Sequence, residues 1–461
     1  MSGLPDVARR MFLAAVAAVQ PDALVRRLAF TPTGVAFGDD VIEPAGRLVL
    51  VALGKAAPGL AAAFLARCRR QPDQLFVLAP EGVPVPDAVA PATRAARHPL
   101  PDERGVAATA ELRALLAALD ARDGVVVLLS GGGSALLAEP LPGVALERVV
   151  AVTLALLRAG ATINELNAVR KHLLAGVGGR LAAACPAPML TLALSDVPGD
   201  DLATIASGPT VGDPTTLADA AAVLRRHGLE ADFADLIALW GNAAESPKPG
   251  DPRLERATTR LLGTSREALE AAAGVARDAG LLPRVVTRTL RGEAREIGRT
   301  LAALARAGAA GEGVVLLFAG ETTVTVAGHG RGGRNLEVAL AAALALDGMS
   351  DRCVLAAGTD GVDGNSPAAG AVVDGDTAPR ARLLGRDPDT ALADNDAWGF
   401  FAGLPEAIVT GPTGTNVADL AFALVAGAVP LLLSDAAAAA LALGGRAGAP
   451  PGAAKPDDSV R

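Results

Sequence analysis

The chain has 461 residues, 51% apolar but only 3% aromatic and without tyrosine, so its core must be aliphatic and is large enough for two or three domains. Its 50 acidic residues outnumber 42 basic ones for a formal charge of −8, spread without long blocks, which argues against a nucleic-acid partner. The three cysteines, Cys68, Cys185 and Cys353, are odd in number and far apart, so they suit neither a disulfide framework nor a metal cluster and point to a reducing compartment.

The first element, "ARRMFLAAVAAV", has the look of a twin-arginine export signal. Its apolar stretch, Met11 to Val19, is short, however, and Pro21-Asp22 follows without a clear cleavage site, so it reads as an amphipathic first helix. The longest uncharged apolar run, Leu420 to Leu433, falls short of the ~20 residues that span a bilayer. The expectation is a cytoplasmic protein with no membrane partner.

One pattern then recurs along the chain. An aliphatic run ends in a Gly-, Asp- or Ser-rich loop, and an Ala/Leu-rich helical stretch often follows. It appears as "RLVLVALGKAAPGLAAAFLA", "VVVLLSGGGSALL", "MLTLALSDVPGDD", "VVLLFAGETTVTV", "CVLAAGTDGVDG", "AIVTGPTGTNVADLAFAL" and "VPLLLSD". Continuous apolar runs of this length suit strands buried on both faces, as in parallel sheets flanked by helices. Ligands bind such sheets at the carboxyl ends of the strands, where these polar loops would lie. "TVTV", Thr323 to Val326, alternates and reads as a half-exposed strand of a mixed sheet.

"ESPKPGDPR", residues 245–253, is the linker candidate, followed by a long helix from Leu254 to Ala279. The expected fold is therefore two α/β domains with an active-site cleft between them. Residues 1–244 form a Rossmann-like parallel sheet flanked by helices, residues 254–443 an α/β domain with a mixed sheet, and residues 444–461 a flexible Gly/Ala/Pro-rich tail.

Four loops can carry chemistry. In "SGGGS" (Ser130, Gly131, Gly132, Gly133, Ser134) a strand ends and a helix begins; backbone N–H groups there can cradle an anion, and the hydroxyls add donors. The plainer reading is a tight turn. Lys55 in "LGKAA" follows the first strong strand. This is no Walker A loop, because Val49 and Ala56 stand where Gly and Ser or Thr are required, but Lys55 can still serve as a point charge on a phosphate. The alternative is a solvated Lys whose charge opposes the helix dipole. "GHGRGGRNLEVAL" holds Gly328, Gly330 and Gly333 in a formal G-x-G-x-x-G, which raises a dinucleotide reading. The alternating strand before it and the crowding of Arg331 and Arg334 oppose that reading; paired arginines suit a phosphate or carboxylate. The acidic loops "LSDVPGDD" (Asp196, Asp200, Asp201) and "GTDGVDGN" (Asp360, Asp363) can hold Mg²⁺, accept a proton, or simply form Asp–Gly turns. The four histidines have no metal-ligand spacing; His98 and His172 read as orienting or structural groups.

Taken in order, "GKAA", "HPLPDE", "LLSGGGSALL", "NAVRKHL", "SDVPGDDLATIASGPTVGDPTT", "GETTVTV", "GRGGRNLEVAL", "AAGTDGVDG", "ADNDAW" and "GPTGTNVADL" resemble the glycerate 2-kinase family, the two-domain type with a C-terminal MOFRL domain, over residues 54–420. The resemblance implies transfer of the γ-phosphoryl group of ATP to the 2-hydroxyl of D-glycerate. It implies Lys55, Arg334 and Asp196 as catalytic residues. The nucleotide would lie on Ser130, Gly131, Gly132, Gly133, Ser134, Asn335, Thr413 and Asn416, and the substrate on Arg170, Lys171, Asp360 and Asp363. Mg²⁺ would sit beside Asp196 or Asp360, and a homodimer is allowed for. Some members carry the label hydroxypyruvate reductase, so the alternative is an NAD(P)-dependent reductase using Gly328 to Gly333.

Overall fold

The apolar runs form two six-stranded sheets in a computed structural model that describes residues 3–307, 313–349 and 351–426. The first contains β1 (Leu48–Leu53), β2 (Gln74–Pro80), β3 (Thr93–Ala96), β4 (Gly124–Leu129), β5 (Met189–Leu194) and β6 (Ala257–Gly263). All its pairings are parallel and its order is β3-β2-β1-β4-β5-β6. The second contains β7 (Leu282–Leu290), β8 (Val314–Gly320), β9 (Arg352–Gly358), β10 (Gly370–Asp374), β11 (Ala407–Ile408) and β12 (Asp419–Val425), in the order β7-β8-β12-β9-β10-β11. Only β7 and β8 run parallel, so this sheet is mixed.

Period-two alternation explains the cores. Leu48, Leu50 and Ala52 of β1 face a layer between the sheets, while Val49, Val51 and Leu53 face the outer helices. Val315, Leu317 and Ala319 of β8 enter the same middle layer from the other side. Its helices include α1 (Leu4–Ala18), α2 (Ala57–Arg67) and α3 (Ser265–Asp278). α1 buries Met11, Phe12, Ala15 and Val16, packs on α3 and on the second sheet, and donates from Arg9 Nη1 to Ala407 O at 3.2 Å.

Three expectations are corrected here. Residues 257–263 are a strand, not the start of a long helix. β6 is an edge strand with one side half exposed, and its Arg260 and paired threonines break the apolar run that marks the inner strands. Thr264 then starts α3 with a capping box: its hydroxyl accepts from Arg266 N at 3.0 Å, and Glu267 accepts from Thr264 N at 2.8 Å. The boundary after residue 244 therefore does not separate the sheets; we propose it after Gly263, with α1 grouped by packing with the second sheet. "ADLAFAL" is β12, buried throughout at the sheet centre, where a short apolar run shows no period that tells strand from helix. "TVTV" joins no ladder beyond a bridge from Thr323 to Glu293; the sheet is mixed because β12 runs antiparallel between β8 and β9. "VPLLLSD" and the expected tail lie outside the described residues. Among the described residues no helix is long and apolar enough to cross a membrane.

Candidate active site

The first sheet reverses its direction of growth between β1 and β4, and an open α/β sheet has its ligand crevice at such a switch point. The two loops that leave this point are Gly54–Ala56 and Ser130–Ser134. They lock together: Lys55 N donates to Gly131 O at 2.9 Å, and Ser130 Oγ accepts from Ala56 N at 3.0 Å. Side chains are excluded for steric reasons. A Cβ on Gly131 would stand 1.8 Å from Asp196 Oδ2, and Gly132 has φ +87° with Lys55 Cγ and a His98 ring carbon 3.2 and 3.3 Å from its Cβ position. Backbone N–H groups of Gly131, Gly132, Gly133 and Ser134 have no acceptor among the described residues. The helix after this loop is a single turn, Gly133–Leu136, so the cradle is made by loop amides rather than a helix dipole.

Both sheets present their loops to one cleft of about 1260 Å³. Lys55, Pro80–Pro84 and Asp196 line it from the first sheet, with Glu321, Arg334, Asp360 and Asn416 from the second. Lys55 has no ion-pair partner among the described residues, though its charge acts on Asp196, Glu321 and Asp360. Burial, then the neighbouring Glu321 charge, pushes the Asp196 pKa up to about 6 against the pull of Lys55. Asn416 Nδ2 donates to Asp196 Oδ2 at 3.1 Å, across the two halves of the molecule. Burial likewise raises Asp360 and Glu321 above the usual carboxylate range.

Arg334 opens α4 (Arg334–Leu346) and is clamped by two carboxylates. Its Nε and Nη2 donate to Asp419 at 2.5 and 3.2 Å, and Nη1 pairs with Glu321 at 2.6 Å. Burial opposes its charge, but Asp419 and Glu321 outweigh burial and raise its pKa. Sequence reasoning missed both acids. Glu321 follows β8 as the other acidic loops follow their strands, so that signal was available; Asp419 was hidden in the expected helix.

Several expected ligand residues serve the protein instead. Asp363 caps α4, accepting from Leu336 N at 2.8 Å, Asn335 N at 3.1 Å and Asn335 Nδ2 at 3.2 Å. These bonds engage Asp363, expected on the substrate, and the buried Asn335, expected on the nucleotide, within the protein. Lys171, expected on the substrate, is turned inward onto the fully buried Asp213 at 3.2 Å. Thr413 donates its hydroxyl to Thr359 O at 2.6 Å and its N–H to Asp360 O at 3.0 Å, so it shapes the Asp360 loop. Asn416 orients Asp196, and Ser134 Oγ lies 2.7 Å from Ser207 Oγ.

Arg170 behaves differently. It is 8% exposed and has no hydrogen-bond or ion-pair partner among the described residues; burial alone holds its pKa down to about 10. Its charge reaches His98, which burial and the cations Lys55 and Arg170 hold down to about 4, so the ring is neutral at pH 7. His98 in turn packs on Gly132. A buried guanidinium without a counter-charge is costly and calls for an anion.

The second glycine loop has its amides filled from Ala327 to Gly332. Asn395 Oδ1 accepts from Ala327 N and Gly328 N at 2.8 and 2.9 Å, Asp394 O from Gly330 N at 2.9 Å, and Asp396 Oδ1 from Arg331 N at 2.9 Å. Asn365 Oδ1 takes Gly332 N at 2.8 Å. With Asp363 on the amides of Asn335 and Leu336, only Gly333 N and Arg334 N remain open among the described residues, fewer donors than a pyrophosphate loop supplies, which opposes the dinucleotide reading.

Among the described residues no group of three Asp, Glu, His or Cys side chains converges as a metal site. Asp196 and Asp360 do feel each other's charge, and one or two carboxylates beside substrate phosphates are the usual protein share of a Mg²⁺ site.

Residues 7–239 match the family model described as a domain of unknown function, DUF4147, and residues 314–419 match the MOFRL family. An Agrobacterium vitis protein provisionally named hydroxypyruvate reductase is 43% identical over 91% of this chain and 94% of its own length. A Thermotoga maritima D-glycerate 2-kinase is 39% identical over 82% of this chain and 91% of its own. A crystal structure of a Thermotoga maritima glycerate kinase superposes with a TM-score of 0.77 at 36% identity, covering 92% of this chain and 99% of that one.

Proposed function

The chain belongs to the glycerate kinase family that joins a DUF4147 domain to a MOFRL domain, and from that premise we propose that it transfers the γ-phosphoryl group of ATP to the 2-hydroxyl of D-glycerate, giving 2-phosphoglycerate and ADP. One observation carries the residue assignment: a loop with four open backbone donors beside an unpaired Lys55 at the switch point of the parallel sheet.

Phosphoryl transfer needs alignment and charge neutralisation more than covalent help. The amides of Gly131–Ser134 hold phosphate oxygens. Lys55 places a mobile positive charge on the group in transfer, and Arg334 approaches from the other half with its orientation set by Asp419 and Glu321. Arg170 takes the carboxylate of D-glycerate, which supplies its missing counter-charge. The substrate's 2-hydroxyl oxygen bonds to the γ-phosphorus as the bond to the ADP oxygen breaks. Asp196, raised to about 6 yet ionised at pH 7, accepts the hydroxyl proton. Asp360 would hold Mg²⁺ beside the ATP phosphates, which leaves Asp196 free to take the proton, and the ion would neutralise charge on the phosphate oxygens.

Purified protein given ATP, Mg²⁺ and D-glycerate should release ADP and form 2-phosphoglycerate, identified by ³¹P NMR. Oxidation of NADH by hydroxypyruvate with no ADP release would instead select the reductase.

A further inference from the structure

Most carboxylates on the cleft wall are accounted for. Asp196, Glu321 and Asp360 surround Lys55, Asp363 caps α4, and Glu337 pairs with Arg295 at 2.8 Å and accepts from Asn395 Nδ2 at 3.0 Å. Glu81 lines the same cleft, and among the described residues its carboxylate meets only Arg104, which is not part of the wall.

Its place in the fold is specific. Glu81 is the first residue after β2, the strand beside β1 on the side away from β4. Its N–H donates to Ala96 O at 2.9 Å, which ties the turn to β3. Its carboxylate is held from behind: Oε2 accepts from Arg104 Nη2 at 2.8 Å, and Arg104 Nε donates to Asp102 at 2.6 Å. Asp102 itself caps the helix Glu103–Ala117, accepting from Gly105 N at 3.1 Å. Glu81 and Arg104 are both exposed, so one carboxylate oxygen is engaged at the surface and the other is left for an acceptor role. Gly82, Val83 and Pro84 continue the cleft wall from Glu81, and among the described lining residues none is aromatic.

In the dinucleotide-binding form of this strand order, the glycine loop after the first strand holds the phosphates and an acid about 20 residues on accepts the ribose hydroxyls. The same order is present here, with open phosphate donors on β4 and an acid at the end of β2. We infer that Glu81 accepts hydrogen bonds from the ribose hydroxyls of ATP and that Gly82–Val83–Pro84 is the aliphatic shelf under its base. This inference rests on the cleft being an ATP site. It makes Glu81 the residue that separates ribonucleotides from deoxyribonucleotides, because a site built to bond a hydroxyl rejects the analogue that lacks it.

The test is calorimetric binding of ATP and 2′-deoxy-ATP to the full chain, wild type and Glu81→Ala, with Glu81→Gln as the conservative variant. Wild type should favour ATP by about 10-fold, the worth of one charge-assisted hydrogen bond. Glu81→Ala should bring the ratio to about one by weakening ATP alone, and Glu81→Gln should keep part of the preference. In turnover the effect should fall on the nucleotide KM and not on the D-glycerate KM. An unchanged ratio in Glu81→Ala, or no discrimination by wild type, overturns the inference while leaving the ATP site standing. Failure of wild type to bind either nucleotide overturns both.

Discussion

Two loops of this protein are nearly interchangeable in composition and opposite in chemistry. Ser130–Ser134 and Gly328–Gly333 are both glycine-rich and both precede helical residues. In the first, four consecutive amides face no acceptor among the described residues; in the second, Asn395, Asp394, Asp396 and Asn365 take up the amides of residues 328–332. Glycine in the first lets Asp196, Lys55 and His98 crowd the backbone, whereas glycine in the second lets the chain wrap the Asp394–Asp396 turn. A glycine pattern therefore marks close approach, and only the fate of the amides tells whether the approaching partner is a ligand or the protein itself.

The largest expected effect breaks the comparison on the open side. Lys55→Ala should lower kcat about 10³-fold, the scale of a lost transition-state charge, with a modest fall in thermal midpoint because its charge offsets the repulsion among Asp196, Glu321 and Asp360. Wild-type turnover by this variant would leave the open loop without a catalytic neighbour. Next, Arg170→Ala should raise the D-glycerate KM by about 10- to 100-fold, in line with a charged hydrogen bond. Its ATP KM should stay put, and its thermal midpoint should rise, since an uncompensated buried charge is gone. A rise in the ATP KM instead would move Arg170 to the phosphates.

Paired substitutions sharpen the contrast between the loops directly. Gly132→Ala, at φ +87° and against Lys55 and His98, should cost about 1–2 kcal/mol of stability and weaken ATP binding at least 10-fold. Gly330→Ala, whose Cβ would lie 2.4 Å from Asp396 Cα, should cost more than about 2 kcal/mol, measured by denaturant unfolding, and leave the ATP Kd of the folded protein unaltered. A nucleotide defect confined to Gly330→Ala would reverse the two loops' roles.

The last contrast is pH-dependent. The folded pKa of Asp196, about 6, lies above its ordinary 3.8, so its contribution to stability is present below pH 4 and is lost as pH rises through 6. Activity runs the other way, because the base must be ionised. kcat/KM should fall below about pH 6, while Asp196→Asn should be inactive and gain stability over wild type as pH rises from 4 to 8. A stability difference that does not vary with pH would remove the raised carboxylate from the account.

How much of this was legible in the sequence follows burial. β1, β4, β5, β8 and β9 show themselves as unbroken apolar runs because both faces are covered, and Lys55, Asp196 and Asp360 lie where such strands end. β6 escaped because an edge strand carries Arg260 on an open side, and β12 because its Ala- and Leu-rich run fits a helix as well. The roles of Asn335, Asp363 and Lys171 turn on partners far along the chain: Asp363 lies 28 residues from Asn335, and Asp213 lies 42 from Lys171. No local spacing reports that a side chain is already engaged. Arg170 is the converse case, since its lack of a partner is visible only once everything around it is placed.

Amide hydrogen exchange with and without ATP tests the central claim most directly. Without nucleotide, the amides of residues 131–134 should exchange fast and those of residues 327–332, 335 and 336 slowly; ATP should protect the first set and leave the second unchanged. Protection confined to residues 327–336, with the Ser130–Ser134 loop indifferent to ATP, would contradict the account.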